Sequence, residues 1–225
     1  MKKFTLLAAT AFSLAAATAA PAAAQEAGDI QIRGFATAIL PDGEITDVNV
    51  DAIGLPATSQ TSVTDSFAPT IAAEYFVSRN FSIETICCIV GADVEGAGAL
   101  AGTDLIDGVA ILPATVTAKF HLPTESGIKP YVGGGVAHFF IFDEGVGADA
   151  AALGATDVSL SDEFGFVLQA GIDIPINDNG LMLSLDAKRY FIDTTATFTA
   201  GNTVALQTEH SLDPWVIGAG LGVRF

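Results

Sequence analysis

The chain has 225 residues and a formal net charge of −17, from 26 Asp and Glu against nine Lys and Arg. So acidic a chain excludes a nucleic-acid interface, which needs clustered cations to neutralise phosphates. Half of the residues are apolar, yet beyond the N-terminus no run approaches the roughly 20 residues of a spanning helix, so any membrane crossing falls to a closed sheet.

In chain order, Met1-Lys2-Lys3 precedes an alanine-rich apolar run from Phe4 to Ala20, then small residues at Ala22 and Ala24. That is the plan of a secretory signal peptide, residues 1–24, cleaved before Gln25. The small-residue end argues against a retained anchor. Removal takes away Lys2 and Lys3 and no acid, leaving seven cations against 26 acids, or −19. Residues 25–225 are then expected to form one domain, without internal repeats.

Eight segments of about ten residues alternate with a period of two, each with one apolar face. The first runs from Ile30 to Leu40, with Gln31 and Arg33 on the minority face. In the second, Phe67 to Val77, the residues Phe67, Ile71, Ala73, Tyr75 and Val77 share one face, and Thr70 and Glu74 the other. The third, Phe81 to Val90, turns Ser82 and Glu84 inward; the fourth, Val109 to His121, does so with Thr115, Thr117 and Lys119. The fifth, Pro130 to Phe142, is glycine-rich at 133–135 and aromatic at its far end. In the sixth, Phe164 to Ile174, the residues Phe164, Phe166, Leu168, Ala170, Ile172 and Ile174 all face out. The seventh, Leu181 to Ile192, sends Ser184, Asp186 and Lys188 inward. Fifteen Phe and 23 Gly fit such a wall, with bulky residues outside and small ones in a crowded lumen.

The connections alternate in length. Those at about 78–80, 122–129 and 175–180 are short; those at about 41–66, 91–108, 143–162 and 193–212 are long. This pattern predicts an all-β fold: an eight-stranded antiparallel up-and-down transmembrane β-barrel with short periplasmic turns, long extracellular loops and both termini periplasmic. Within the long connections, Val48 to Ile53 and Thr203 to Leu206 read as strand continuations, and Asp149 to Leu153 as a helical turn. Cys87 and Cys88 are adjacent, so on a strand they face opposite sides and serve as small apolar wall residues rather than a disulfide or metal pair.

The eighth strand closes the chain. Trp215, Ile217, Ala219, Leu221, Val223 and Phe225 point one way, and Val216, Gly218, Gly220, Gly222 and Arg224 the other. Nothing after Phe225 covers the apolar face, which disfavours the edge strand of a soluble β-sandwich. The segment resembles the C-terminal strand of bacterial outer-membrane barrels. The resemblance implies that Phe225 and the alternating Trp215, Ile217, Leu221 and Val223 form the signal read by the barrel assembly machinery.

A narrower resemblance rests on Ile176-Asn-Asp-Asn179, Asp193-Thr-Thr-Ala-Thr197, Leu212-Asp-Pro-Trp215 and the Gly220 to Phe225 end, with Leu112-Pro113 and Pro130-Tyr-Val-Gly133 upstream. In these the chain resembles the OmpW family. That family implies a narrow barrel whose hydrophobic lumen assists small apolar molecules across the outer membrane; some members also serve as bacteriocin or phage receptors. The loops depart from the pattern, as does the basic pair Lys188-Arg189 in strand seven, where apolar or aromatic residues are expected.

Inward charges gather in the lower and middle barrel: Arg33, Glu74, Glu84, Lys119, Asp173 and Asp186. Unpaired charge is unfavourable in a narrow lumen, so these are expected to pair, either plugging the barrel or simply filling it. Above them Ile39, Ile86, Cys88, Val90, Pro113, Phe139, Val167 and Val216 form an apolar lining, either a ligand pocket or ordinary packing in a barrel too small to stay open. Pro69 and Pro113, lacking an N–H, mark candidate breaks in the wall ladders and hence a lateral gate. Of the three histidines, His121, His138 and His210, none is expected to join a Ser–His–acid set, so no enzyme, cofactor or metal is expected. The glycine runs lie inside strands and cradle no phosphate. Expected partners are outer-membrane lipids and lipopolysaccharide, the assembly machinery and small hydrophobic molecules. The alternative function is a structural or surface-receptor barrel without transport, its acidic loops bridging lipopolysaccharide phosphates through divalent cations or merely solvated.

Overall fold

The structure is a computed structural model that describes residues 25–124, 127–177 and 179–225; the expected signal peptide lies outside the described residues. Fifteen strands and one short helix follow in chain order: β1 (Ile30–Leu40), β2 (Glu44–Asp51), β3 (Ser59–Val63), β4 (Ser66–Phe76), β5 (Phe81–Cys87), β6 (Val90–Gly98), β7 (Asp104–His121), β8 (Lys129–Phe142), β9 (Gly145–Val146), α1 (Ala148–Ala152), β10 (Asp157–Leu160), β11 (Glu163–Pro175), β12 (Leu181–Phe191), β13 (Asp193–Ala200), β14 (Thr203–Ser211) and β15 (Trp215–Arg224). Among the described residues no helix is long and apolar enough to cross a membrane.

Eight wall positions close on themselves through antiparallel ladders: β1, β4, β5 continued by β6, β7, β8, β11, β12 and β15. The first and last strands pair, Gln31 opposite Arg224 through Leu40 opposite Trp215, which seals the cylinder without a free edge. Each of the eight expected strands coincides with a wall position. Their outer faces carry large exposed apolar side chains, among them Phe67 (82% exposed), Phe164 (78%) and Phe166 (71%). In water such a belt is unfavourable; against hydrocarbon it is the expected surface. Inside, Arg33 and Lys119 are 0% exposed, so at their height the lumen is filled rather than open.

The glycines of β8 have a packing reason. A Cβ on Gly135 would overlap the Val116 carbonyl of β7, and one on Gly133 would press 3.0 Å from the Lys119 side chain. The glycine run therefore lets β7 and β8 approach while the Lys119 stem crosses the lumen over them.

The long connections hold more strand than expected: the continuations expected at Val48 to Ile53 and Thr203 to Leu206 fall in β2, which ends at Asp51, and β14, and further strands join them. Most are not loops: β2, β3, β6, β10, β13, β14 and the first third of β7 continue the wall above the barrel. Of these, β10, β13, β14 and β2 form a separate four-stranded sheet. In β6 the pattern is Val90, Ala92, Val94 and Gly96 buried, and Asp93 and Glu95 exposed. The period is still two, but its outer face is charged instead of apolar because it meets water. A search for lipid-compatible faces passes over such strands. The helical turn expected at 149–153 appears as α1.

Candidate functional site

The lower lumen holds one connected ionic layer. Arg33, from β1, reaches Glu74 of β4 at 2.5 Å, Glu84 of β5 at shorter range still, and Asp173 of β11 at 3.4 Å. Lys119 of β7 donates to Glu74 at 2.8 Å and Glu84 at 2.9 Å, with its Nζ 3.7 Å from the Tyr131 ring centre. Lys188 of β12 bridges Asp186 at 2.5 Å and Glu84 at 3.1 Å. Neutral donors complete the carboxylates. Gln31 and Ser184 serve Asp173, and Tyr131 serves Asp186 at 2.7 Å; Gln169 serves Glu84 and Asp186 at 3.0 and 2.6 Å.

All six charged residues singled out in the sequence lie in this layer. Lys188, Gln31, Gln169 and Tyr131 belong to it as well, and each shares the inward parity of a strand already aligned, which is the signal that marks them. Three cations thus meet four carboxylates in a space with almost no exposure. Ions have no water-filled path past such a layer. In planar bilayers the protein is expected to show no stable conductance step of an open pore; a large steady conductance would mean the layer is not closed. Arg189 does not join it. It lies at the rim, bridging Asp42 at 3.2 Å and Asp213 at 3.8 Å, with its guanidinium 5.6 Å from the Trp215 ring centre.

One expectation is corrected here. A serine, a histidine and an acid do converge: His121 Nε2 is 2.9 Å from Ser82 Oγ and 2.9 Å from Glu74 Oε1, and Ser82 also donates to Glu74. The convergence arises because His121 shares the inward parity of Thr117 and Lys119 on β7, and the β5–β7 register sets it beside Ser82. The geometry is not that of a relay, since one nitrogen faces both partners and Nδ1 is buried without a hydrogen-bond partner among the described residues. His138 is elsewhere, between the rings of Phe140 and Phe164 at 4.2 and 4.1 Å. His210, in β14, lies in the part built above the barrel by β2, β3, β6, β10, β13 and β14, the upper lobe.

Directly above the ionic layer lies an apolar cavity of about 60 Å³. Its walls include Ile39, Ile86, Cys88, Val90, Pro113, Phe139 and Val216, seven of the eight residues expected there. Val167 is the exception: it is 1% exposed and outside the cavity lining. Its ladder partner Tyr190 takes the lining position, with its ring 5.4 Å from Phe139 and its hydroxyl 3.2 Å from Thr115 Oγ1. Below the ionic layer a second space of about 200 Å³ is bordered by apolar residues, among them Phe76, Leu181 and Met182, together with Gln25, Lys129 and Arg224. The ionic layer therefore separates the two spaces.

The wall beside the upper cavity is incomplete. The β4–β5 ladder stops at Ile71 opposite Cys87. Pairing resumes only where Thr64 N donates to Asp93 O at 3.0 Å, beneath the β3–β6 ladder. On the other side, β5 and β7 pair up to Ile86 opposite Thr115, and β6 and β7 from Val90 opposite Ile111. Cys88 and Ile89 fall between, outside both ladders. In register, Cys88 comes opposite Pro113 on one side, and Ile89 opposite Pro69 on the other. Neither proline has an N–H to offer. Cys87 is exposed, Cys88 is half-buried, and both are free thiols.

Of the residues named as an assembly signal, Trp215, Ile217, Leu221 and Val223 share the outer face of β15 and Phe225 follows directly after it; all are exposed except the half-buried Val223.

A closed eight-stranded wall with an apolar outer belt and a side-chain-filled lumen defines a small transmembrane β-barrel of the outer-membrane type. The sequence profile of the OmpW family matches residues 26–225, and the chain belongs to that family. It is 29% identical over 232 residues to outer membrane protein W of Salmonella typhi, with 100% of both chains covered. It is 27% identical over 212 residues to the uncharacterized outer-membrane protein y4mB of Sinorhizobium fredii, covering 94% of this chain and 86% of that one. The crystal structure of the outer membrane protein OprG from Pseudomonas aeruginosa aligns with a TM-score of 0.79 at 24% identity, over 89% of this chain and 97% of that one. At that identity the likeness speaks to the fold.

Proposed function

We propose that this barrel assists small apolar molecules across the outer membrane. They enter from the lobe end into the cavity above the ionic layer and leave sideways into lipid through the gap at Cys88–Ile89. The observation that carries the reading is the coincidence of three features at one height: an apolar cavity, a charged floor beneath it and a wall without ladder bonds beside it. Moving a hydrocarbon down through desolvated charges is strongly unfavourable, whereas a sideways step keeps it in an apolar medium. Pro69 and Pro113 maintain the gap because neither can donate to a ladder. In this reading the lobe faces outward and both termini are periplasmic. Outer-membrane lipid and lipopolysaccharide surround the belt, and the assembly machinery reads the face of β15 ending at Phe225. No residue is assigned a catalytic role. The alternative, a structural or receptor barrel, explains the acidic lobe but gives no reason for the cavity and the gap to adjoin.

The test is uptake of n-octane by cells carrying equal amounts of inserted protein. Replacing Pro69 with Val and Pro113 with Thr restores two donors and is expected to slow uptake. Undiminished uptake by the double variant would remove the lateral route.

A further inference from the structure

The space below the ionic layer lies inside the cylinder, at the end of the barrel opposite the lobe. Six of the eight wall positions border it, through Gln31 of β1, Phe76 of β4, Lys129 of β8, Pro175 of β11, Met182 of β12 and Arg224 of β15. At about 200 Å³ it exceeds the ~150 Å³ engineered apolar cavity that takes up benzene. The ionic layer closes it above and the wall closes it at the sides, so a molecule reaches it from the aqueous mouth.

Its polar groups are matched unequally. Asp173, the one carboxylate among the described residues that line it, is already met by Gln31, Ser184 and Arg33. Lys129 stands opposite Asp173 in the β11–β8 ladder, yet forms no ion pair among the described residues. Gln25 is 4% exposed, and its Nε2 is buried with no hydrogen-bond partner among the described residues. Asn177 turns its side-chain oxygen to the amides of Asn179 and Leu181 at 3.0 and 3.3 Å, which leaves only its NH2 group for other partners. Arg224 holds Asp29 at 3.6 Å. The space therefore offers donors and positive charge beside the apolar surface of Phe76, Leu181 and Met182.

A buried N–H without an acceptor is unfavourable, and a carboxylate accepting from an ammonium and an amide makes stronger hydrogen bonds than a neutral group does. A chain attached to that carboxylate leaves water against the apolar walls. We propose that this space is a binding site for short aliphatic carboxylates, with Lys129 and Gln25 taking the head group and Phe76, Leu181 and Met182 the chain. It is a second site, cut off from the lumen cavity by the ionic layer and independent of the uptake route. An alcohol of the same length brings no counter-charge to Lys129, and an alkylammonium is repelled by it, so the site selects the anion.

The test uses protein purified from membranes, methyl-labelled at Leu, Val and Met, in lipid nanodiscs at neutral pH. The probes are hexanoate, hexanol and hexylammonium. Hexanoate is expected to shift the methyls of Leu181 and Met182 and to bind about tenfold more tightly than hexanol, while hexylammonium leaves them unmoved. Leu168, on the outer belt, reports entry into lipid and is expected to stay still. Lys129→Met is expected to weaken hexanoate by about tenfold and to leave hexanol unchanged. Gln25→Glu keeps the shape but sets a carboxylate against the ligand's own, and is expected to abolish the hexanoate response. Unchanged probe-free signals from Val90 and Val216 show that the fold is kept in both variants. Equal binding of hexanoate and hexanol, full-strength hexanoate binding by Lys129→Met, or shifts that merely follow those of Leu168 would overturn the proposal. None of these outcomes bears on the lateral route, which the proline variants test.

Discussion

Replacing Arg33 with Met is expected to lower the unfolding free energy of the barrel by about 3–5 kcal/mol, the range for removing one partner of a buried ion pair. Arg33 touches Glu74, Glu84 and Asp173 with 0% exposure. Without it two cations, Lys119 and Lys188, face four carboxylates, and no water is near to take the excess charge. Asp173 keeps Gln31 and Ser184, so the loss falls on Glu74 and Glu84, which then share Lys119. Urea unfolding in lipid vesicles, followed by the gel-mobility shift between folded and unfolded barrel, measures the change. Adding Glu84→Gln to Arg33→Met removes one uncompensated charge and is expected to recover part of the loss. A single-variant effect below about 1 kcal/mol, the value of an exposed pair, would mean that the layer is hydrated.

Uptake through the wall is expected to become redox-dependent when Thr70 is replaced by Cys. One step beyond the last β4–β5 pair, Ile71 opposite Cys87, the register brings Thr70 opposite Cys88, whose thiol faces it. Opposed residues of an antiparallel pair lie within the span of a disulfide. The bridge closes the gap covalently, so uptake of n-octane is expected to fall by roughly tenfold or more, because the open state is removed rather than disfavoured. Reductant is expected to restore it, and Thr70→Ser to leave it unchanged. Full-rate uptake by the oxidised, cross-linked protein would show that molecules leave by another route.

Both results depend on features legible to different degrees in the sequence. The eight wall strands could be read from parity alone, because lipid demands an apolar outer face at every second residue. β1 matches its expected bounds end to end, and Phe164 to Ile174 lies one residue inside β11 at each end. Parity also marks Arg33, Glu74, Glu84, Lys119, Asp173 and Asp186 as inward, and burial in a narrow lumen obliges them to pair.

What only the tertiary structure decided is which groups share a height and where the ladders fail. Val167 and Tyr190 are ladder partners with the same inward parity, but the larger ring lines the cavity. His121 has the inward parity of β7, but its meeting with Ser82 and Glu74 is invisible along the chain because it joins three strands. Of the upper strands only parts of β2 and β14 were legible; β6 was passed over because water, unlike lipid, accepts Asp93 and Glu95 on its outer face, so its alternation resembles a loop. The gap at Cys88–Ile89 needs two ladders to be interrupted at one level, on β4 and on β7. Each proline announces the loss of one donor; only the register shows that the two losses face adjacent residues, Pro113 opposite Cys88 and Pro69 opposite Ile89. The sequence by itself determined the face each side chain takes, since the pleat fixes parity. The heights at which those faces meet were set by strand pairing around the closed wall, which is a property of the whole barrel.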